Sequence, residues 1–213
     1  MAAENESNDG RAEEPGRGRT RWGRFGLVMG VGVLGIGALF TGLSQGALAA
    51  SFSISGVSYK ASADKLSAEG VVQYGSVDRS ANKARPVLVN GFRDATLDNF
   101  CQSFVVPDIP GVGDTTVRIE APGKGGFQAK NLVIGVDTVT GDLTLNNVEI
   151  GRDAGNLTKG PPGVGGDSGA FGIQADSATI ADLRQVAWST TASTLRLNDV
   201  KITTSTGREA ACF

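Results

Sequence analysis

Gly166-Asp167-Ser168-Gly169 is the segment whose residue types best suit a reaction. A serine held between glycines has the make-up of a nucleophile loop. Ser168 would be the nucleophile, with Asp167 beside it and the amides of Gly166 and Gly169 as oxyanion donors. The segment departs from G-x-S-x-G, because Ala170 stands where the last glycine belongs. A serine nucleophile also needs a base. The chain has no His, which excludes a Ser-His-Asp triad, a Cys-His dyad, His-ligated zinc and a histidine pH switch. A lysine or a carboxylate is the only kind of base left. The plain alternative is a glycine loop in which Asp167 and Ser168 are turn residues.

Other candidates are weaker. Ser62-Ala63-Asp64-Lys65 and Ser80-Ala81-Asn82-Lys83 fit the S-x-x-K pattern of Ser-Lys enzymes. Both stretches are polar, whereas a working lysine base must be desolvated. Carboxylates are scattered at Asp137, Asp142, Glu149, Asp153, Asp167, Asp176, Asp182 and Asp199, with no spacing that points to a glycosidase pair. No calcium-loop pattern occurs, and Gly111-Val112-Gly113 lacks the rest of a dinucleotide fingerprint. Trp188 and Phe171 read as packing residues, since no basic track runs beside them. These motifs imply neither a cofactor nor a metal.

The elements that would position such residues are strands. Phe52 and Ile54 alternate with Ser51, Ser53 and Ser55, and Val117 and Ile119 alternate with Thr116, Arg118 and Glu120. Val87-Leu88-Val89 and Leu132-Val133-Ile134 are short apolar runs. Gly, Asn, Asp and Pro separate these stretches as turn residues. Ala178 to Val186 is the best helical candidate, and its start reads equally well as a strand.

Leu143-Thr144-Leu145-Asn146-Asn147-Val148-Glu149-Ile150 is nearly repeated at Leu195-Arg196-Leu197-Asn198-Asp199-Val200-Lys201-Ile202. The apolar parity shifts at the Asn-Asn or Asn-Asp pair, so a bulge or corner there would let all four apolar residues face one core. Phe127-Gln128-Ala129 echoes Ile173-Gln174-Ala175, and Lys65 to Val71 is a fainter echo. The expected fold class is all-β. It would be a curled or stacked repeat-like sheet, either a solenoid or a sandwich, following an N-terminal signal or anchor helix. The glycine-rich stretch from Lys159 to Gly172 reads as a surface loop.

The 213 residues carry 20 basic and 22 acidic side chains, a formal net charge of -2. That balance argues against a nucleic-acid binder. Residues 1–24 form a polar leader with Arg17, Arg19, Arg21 and Arg24 near its end. An uncharged apolar run follows from Phe25 to Leu43, then Ala47-Leu48-Ala49. These are the parts of a secretory signal peptide, with cleavage expected after Ala49. The alternative is a retained single-pass anchor, residues 25–43 in the membrane and 50–213 outside. Arg19 and Arg21 are separated by Thr20, which points to Sec-type export. Residues 50–213 would then be one exported β domain, with Cys101 and Cys212 joined as a disulfide in an oxidising compartment.

The stretch Arg21-Trp22-Gly23-Arg24-Phe25-Gly26, the apolar run and the Ala49-Ala50-Ser51-Phe52 start resemble a family of small secreted actinobacterial proteins. Many of its members are labelled cholesterol esterase. Asn99-Phe100-Cys101-Gln102 and the terminal Cys212 extend the resemblance over most of the chain. It implies a cell-envelope or extracellular setting and steryl-ester or other lipid-ester substrates, with Ser168 as the candidate serine. Two functions of different class follow. One is hydrolysis of lipid esters by Ser168 with an unidentified base. The other is a non-catalytic envelope protein that binds lipid or a protein partner in an apolar trough.

Overall fold

The structure is a computed structural model and describes residues 57–80 and 83–213. The leader, the apolar run and the expected cleavage site lie outside these residues. Nine strands are described: β1 Tyr59–Ser80, β2 Lys83–Asp98, β3 Phe100–Ile109, β4 Gly113–Ala121, β5 Phe127–Asn146, β6 Glu149–Asp153, β7 Phe171–Thr191, β8 Thr194–Leu197 and β9 Lys201–Thr206. They act as four long passes. β1 is the first. β2 and β3 together form the second, pairing with successive parts of β1. β4, β5 and β6 form the third, and β7, β8 and β9 the fourth.

Every ladder between these strands is antiparallel, and β7 pairs back onto β1. The circuit β1–β2–β5–β7 is therefore closed. The register is steeply staggered. From Glu69 it runs through Asp94 and Lys130 to Thr194, although β7 already meets Tyr59, the first residue of β1, at Ala187. A closed sheet with such stagger must tilt its strands strongly.

The all-β, curled-sheet expectation holds. A solenoid would stack parallel rungs and a sandwich would set two sheets face to face, but the nine strands form one antiparallel sheet. Ala178 to Val186 lies inside β7 and not in a helix.

Closure is produced by corners. Among the described residues six non-glycine residues have positive φ, and all are Asn or Asp: Asn99, Asp108, Asn131, Asn147, Asp182 and Asp199, each near +50°. These side chains tolerate the left-handed region best among non-glycine residues. At each corner the inward parity changes. On β1 the core residues are Ala61 and Ala63, then Leu66 and Ala68, then Val71, and Gly70, at φ +64°, makes the second change.

The corners line up across the strands. Asn147 Nδ2 donates to Asp176 at 2.7 Å, and Asp176 lies beside Gly70 between the pairs Glu69–Ser177 and Val71–Ala175. Arg93 and Asn131 continue the line, and Asn131 Nδ2 reaches Ser193 Oγ at 3.2 Å. Each line folds the sheet, which turns long strands into a closed wall.

Inside that wall is one core with many small side chains. Nine alanines sit among Leu66, Phe92, Leu97, Phe100, Phe127, Leu132, Ile134 and Leu183. A second, outer cluster forms where residues 154–166 lie over β1 and β2. A Cβ on Gly160 would collide with Val72, and one on Gly91 would come within 2.8 Å of Val72 and 3.2 Å of Pro161. Val72 is fully buried here although it lies outside the core cluster. The Cys101–Cys212 disulfide is present, as expected, and spans 111 residues. Lys60 Nζ also donates to the Phe213 carbonyl at 2.7 Å.

Candidate functional site

Ser168 lies in the loop that ends the covering segment, and it is exposed together with Asp167. The loop is organised by Asp153, which caps a single 3₁₀ turn, Ala154–Asn156. Its carboxylate accepts from the Gly155 and Gly169 amides, each at 2.9 Å, and from Asn156 Nδ2 at 3.0 Å. The Gly169 and Gly155 amides, ahead of the side-chain bonds, hold the Asp153 carboxyl below its ordinary range. The Ser168 side chain adds a small further lowering of the Asp153 pKa. Such a carboxylate is a weak base.

The two amides expected as oxyanion donors are both engaged within the protein, Gly169 with Asp153 and Gly166 with the Ala154 carbonyl at 2.9 Å. The Asp167 carbonyl accepts from the Ala170 amide at 3.1 Å, as a turn residue would.

Lys159 is the lysine in the same covering segment. Its ammonium lies 2.8 Å from Asp176 and 3.2 Å from Glu149, and it donates to the Asn147 carbonyl at 2.9 Å. The hydrogen bond to Asp176, then the one to Glu149, raise the Lys159 pKa, so it stays a cation. Glu149 is held low, first by the amide of Gln174 and then by Lys159. Asp176 is held low by Lys159 and Asn147. Glu149 and Asp176 read in the sequence only as scattered acids. Their link through Lys159 depends on strand register, which no local spacing reveals. With Glu69, Gly70, Arg93 and Thr158, Lys159 and Asp176 line a shallow depression of about 320 Å³.

Of the two Ser-x-x-Lys stretches, Ser62–Lys65 lies in β1 with Lys65 exposed. The other includes residues 81 and 82, which lie outside the described ones.

The repeated octets provide the larger feature. Asn147 and Asp199 are the expected corners, and the apolar residues of each octet do share the face of the core. Leu143 sits opposite Ile180, and Ile150 opposite Ile173. Leu195 sits opposite Ala129 and Leu197 opposite Phe127, both core residues. Facing the core does not bury all four. Leu145 and Leu197 touch the core, but Leu143 is 54% exposed, Ile150 67%, Leu195 52% and Ile202 63%.

The cause is the stagger. The pairing of β5 with β2 stops at Val136, so beyond it β5 has only β7 beside it. β8 and β9 likewise have a partner on one side only. Each end of the wall is open and shows its inner, apolar face. Phe171, expected as a packing residue, is 62% exposed and continues the first open face beyond Ile173 and Ala175. Trp188 does pack, under the Arg85 guanidinium at 3.8 Å.

Fold and surface together define a disulfide-linked, closed antiparallel β-protein with apolar open ends. The chain belongs to DUF6230, a family of unknown function, which matches residues 55–213. No curated protein and no solved structure matches it. Among the described residues, no helix is long and apolar enough to cross a membrane, and the disulfide is compatible with an extracytoplasmic setting.

Proposed function

We propose that this chain is a non-catalytic lipid-binding protein of the cell envelope, taking an acyl chain or sterol on the open sheet face of Leu143, Val148, Ile150 and Phe171. The observation that carries the reading is the exposure of these large apolar residues on the face that continues the core. Contiguous apolar surface of this kind marks a contact site. Ser168 supports the same reading: the carboxylate beside it, Asp153, is a weak base, and the amides of Gly169 and Gly166 already have acceptors.

The test is titration of the purified protein with a fluorescent fatty acid and a fluorescent sterol, beside Ile150→Asp, Phe171→Asp and Ser168→Ala. Binding by the wild type and by Ser168→Ala is expected. The two Asp variants should bind at least about tenfold more weakly, from the loss of one or two large apolar contacts. Absence of binding by the wild type sinks the proposal. Steryl-ester hydrolysis that disappears in Ser168→Ala would establish the esterase in its place.

A further inference from the structure

Among the described residues the path of paired strands ends on β6 and β9, with the short β8 also partnered on one side only, and the two end strands are built differently. β6 is blunted in ways that discourage pairing with another chain. Its register shifts between Ile150 and Arg152, Gly151 stands at φ +84°, and Glu149 and Arg152 form an ion pair along it. β9 has none of these features. Its ladder with β4 runs from Lys201 to Ser205 without a shift. Its sequence, Lys-Ile-Thr-Thr-Ser-Thr, is rich in β-branched residues and has no Gly or Pro. Its outer edge has no strand beside it among the described residues, and Ile202 and Val200 are exposed on one face of that edge.

From this contrast we infer that β9 is a docking edge for a second copy of the chain, forming a two-fold dimer in which the two β9 strands pair antiparallel. The occupant is argued from the residues of the edge itself. A two-fold interface must be self-complementary. With the axis at Thr203, each Lys201 faces Ser205 of the other copy and the two ammonium groups lie at opposite ends of the ribbon. Ile202 then faces Thr204 of the other copy, and the two Ile202 side chains become diagonal neighbours on one face, within contact distance for such pairs. Thr203 faces Thr203, a cross-strand pair that sheets favour. No like charges are opposed, and the apolar surface at Ile202 becomes covered. β6 could not do the same, because its bulge breaks the register.

The full chain in a non-ionic detergent is examined by analytical ultracentrifugation, beside Ile202→Lys. Ile202 is largely exposed, so the variant keeps its fold, and an intact Cys101–Cys212 disulfide with an unchanged melting curve confirms this. A dimer is expected for the wild type at tens of micromolar, roughly the affinity range of a small interface. Ile202→Lys should weaken it at least about tenfold by placing a charge on the edge. In a second arm, Thr203→Cys should give a disulfide-linked dimer under mild oxidation much faster than Ser67→Cys, an exposed position on β1. A wild type that stays monomeric at about 100 µM overturns the inference. So does a dimer that Ile202→Lys leaves intact, or equal cross-linking at positions 67 and 203. In those cases the edge is free or is covered by another segment of the same chain. Lipid binding at Ile150 and Phe171 is read separately, so either proposal can fail alone.

Discussion

At the residue scale, the fold depends on side chains that accept left-handed backbone. All six positions share one local pattern: apolar, any residue, Asn or Asp, apolar. They are Leu97-Asp98-Asn99-Phe100, Val106-Pro107-Asp108-Ile109, Ala129-Lys130-Asn131-Leu132, Leu145-Asn146-Asn147-Val148, Ile180-Ala181-Asp182-Leu183 and Leu197-Asn198-Asp199-Val200. Ala68-Glu69-Gly70-Val71 is the glycine form of the same device. An alanine in the left-handed region costs about 1–2 kcal/mol, while glycine carries no such penalty. Asn131→Ala should therefore lower unfolding free energy by about 1 kcal/mol or more, and Asn131→Gly by less. In an ordinary strand glycine would be the worse of the two. Urea denaturation of the pair decides the matter, and a glycine variant less stable than the alanine variant would remove the corner from the account. The pattern was readable in the octets because the parity break sits between long apolar residues. It was hidden at Asn131 and Asp182, where the flanking residues include alanine and the break looks like noise.

At the scale of elements, the covering segment 154–170 shows what a sequence conceals. Its glycines mark it as a surface loop, yet several of them permit close packing. Gly160 lies directly on Val72, and a Cβ on Gly166 would come within 2.8 Å of the Tyr74 ring. The segment is held at its two ends by charge. Asp153 binds the Ser168 end, and Lys159 binds Glu149 and Asp176 at the other. Nothing local in the sequence joins Lys159 to Asp176, because their meeting requires β6 and β7 to pair in one register.

The shifts give this segment a pH range. Asp153, Glu149 and Asp176 have lowered pKa values. Their contribution is complete above the ordinary values of 3.8 and 4.5 and is lost as pH falls through the lowered ones. Lys159 is raised from 10.5, so its contribution is complete below that value and is lost as pH rises through the higher one. Limited proteolysis within residues 157–170 should be slow near neutrality and accelerate in acid below about pH 4 before the sheet unfolds. Lys159→Met should abolish most of the acid dependence at its own end and leave that of the Asp153 end. A cleavage rate that is flat down to global unfolding would show that apolar packing alone holds the segment.

At the scale of the whole molecule, closure and the disulfide are separate devices. The closed circuit runs through β1, β2, β5 and β7. The disulfide instead joins the start of β3 to a C-terminal tail that adds no strand to that circuit. The tail is held besides by Cys212 N to Ser103 Oγ at 3.0 Å and by Lys60 against Phe213. A cross-link over 111 residues constrains the unfolded chain strongly, by about 4–5 kcal/mol in the chain-entropy picture.

Reduction, or a Cys101→Ser and Cys212→Ser double variant, should therefore shift the denaturation midpoint by a large amount. The strand signal in circular dichroism and the protection of core amides in β1, β5 and β7 should persist at 25 °C, since no ladder of the circuit is cut. Protection should fall only in β3, β4 and β9, which lie outside the circuit. If instead the core amides of β7 exchange as fast as those of β9, the tail bridge is part of what closes the wall. The long staggered passes would then be too costly in chain entropy to close without it.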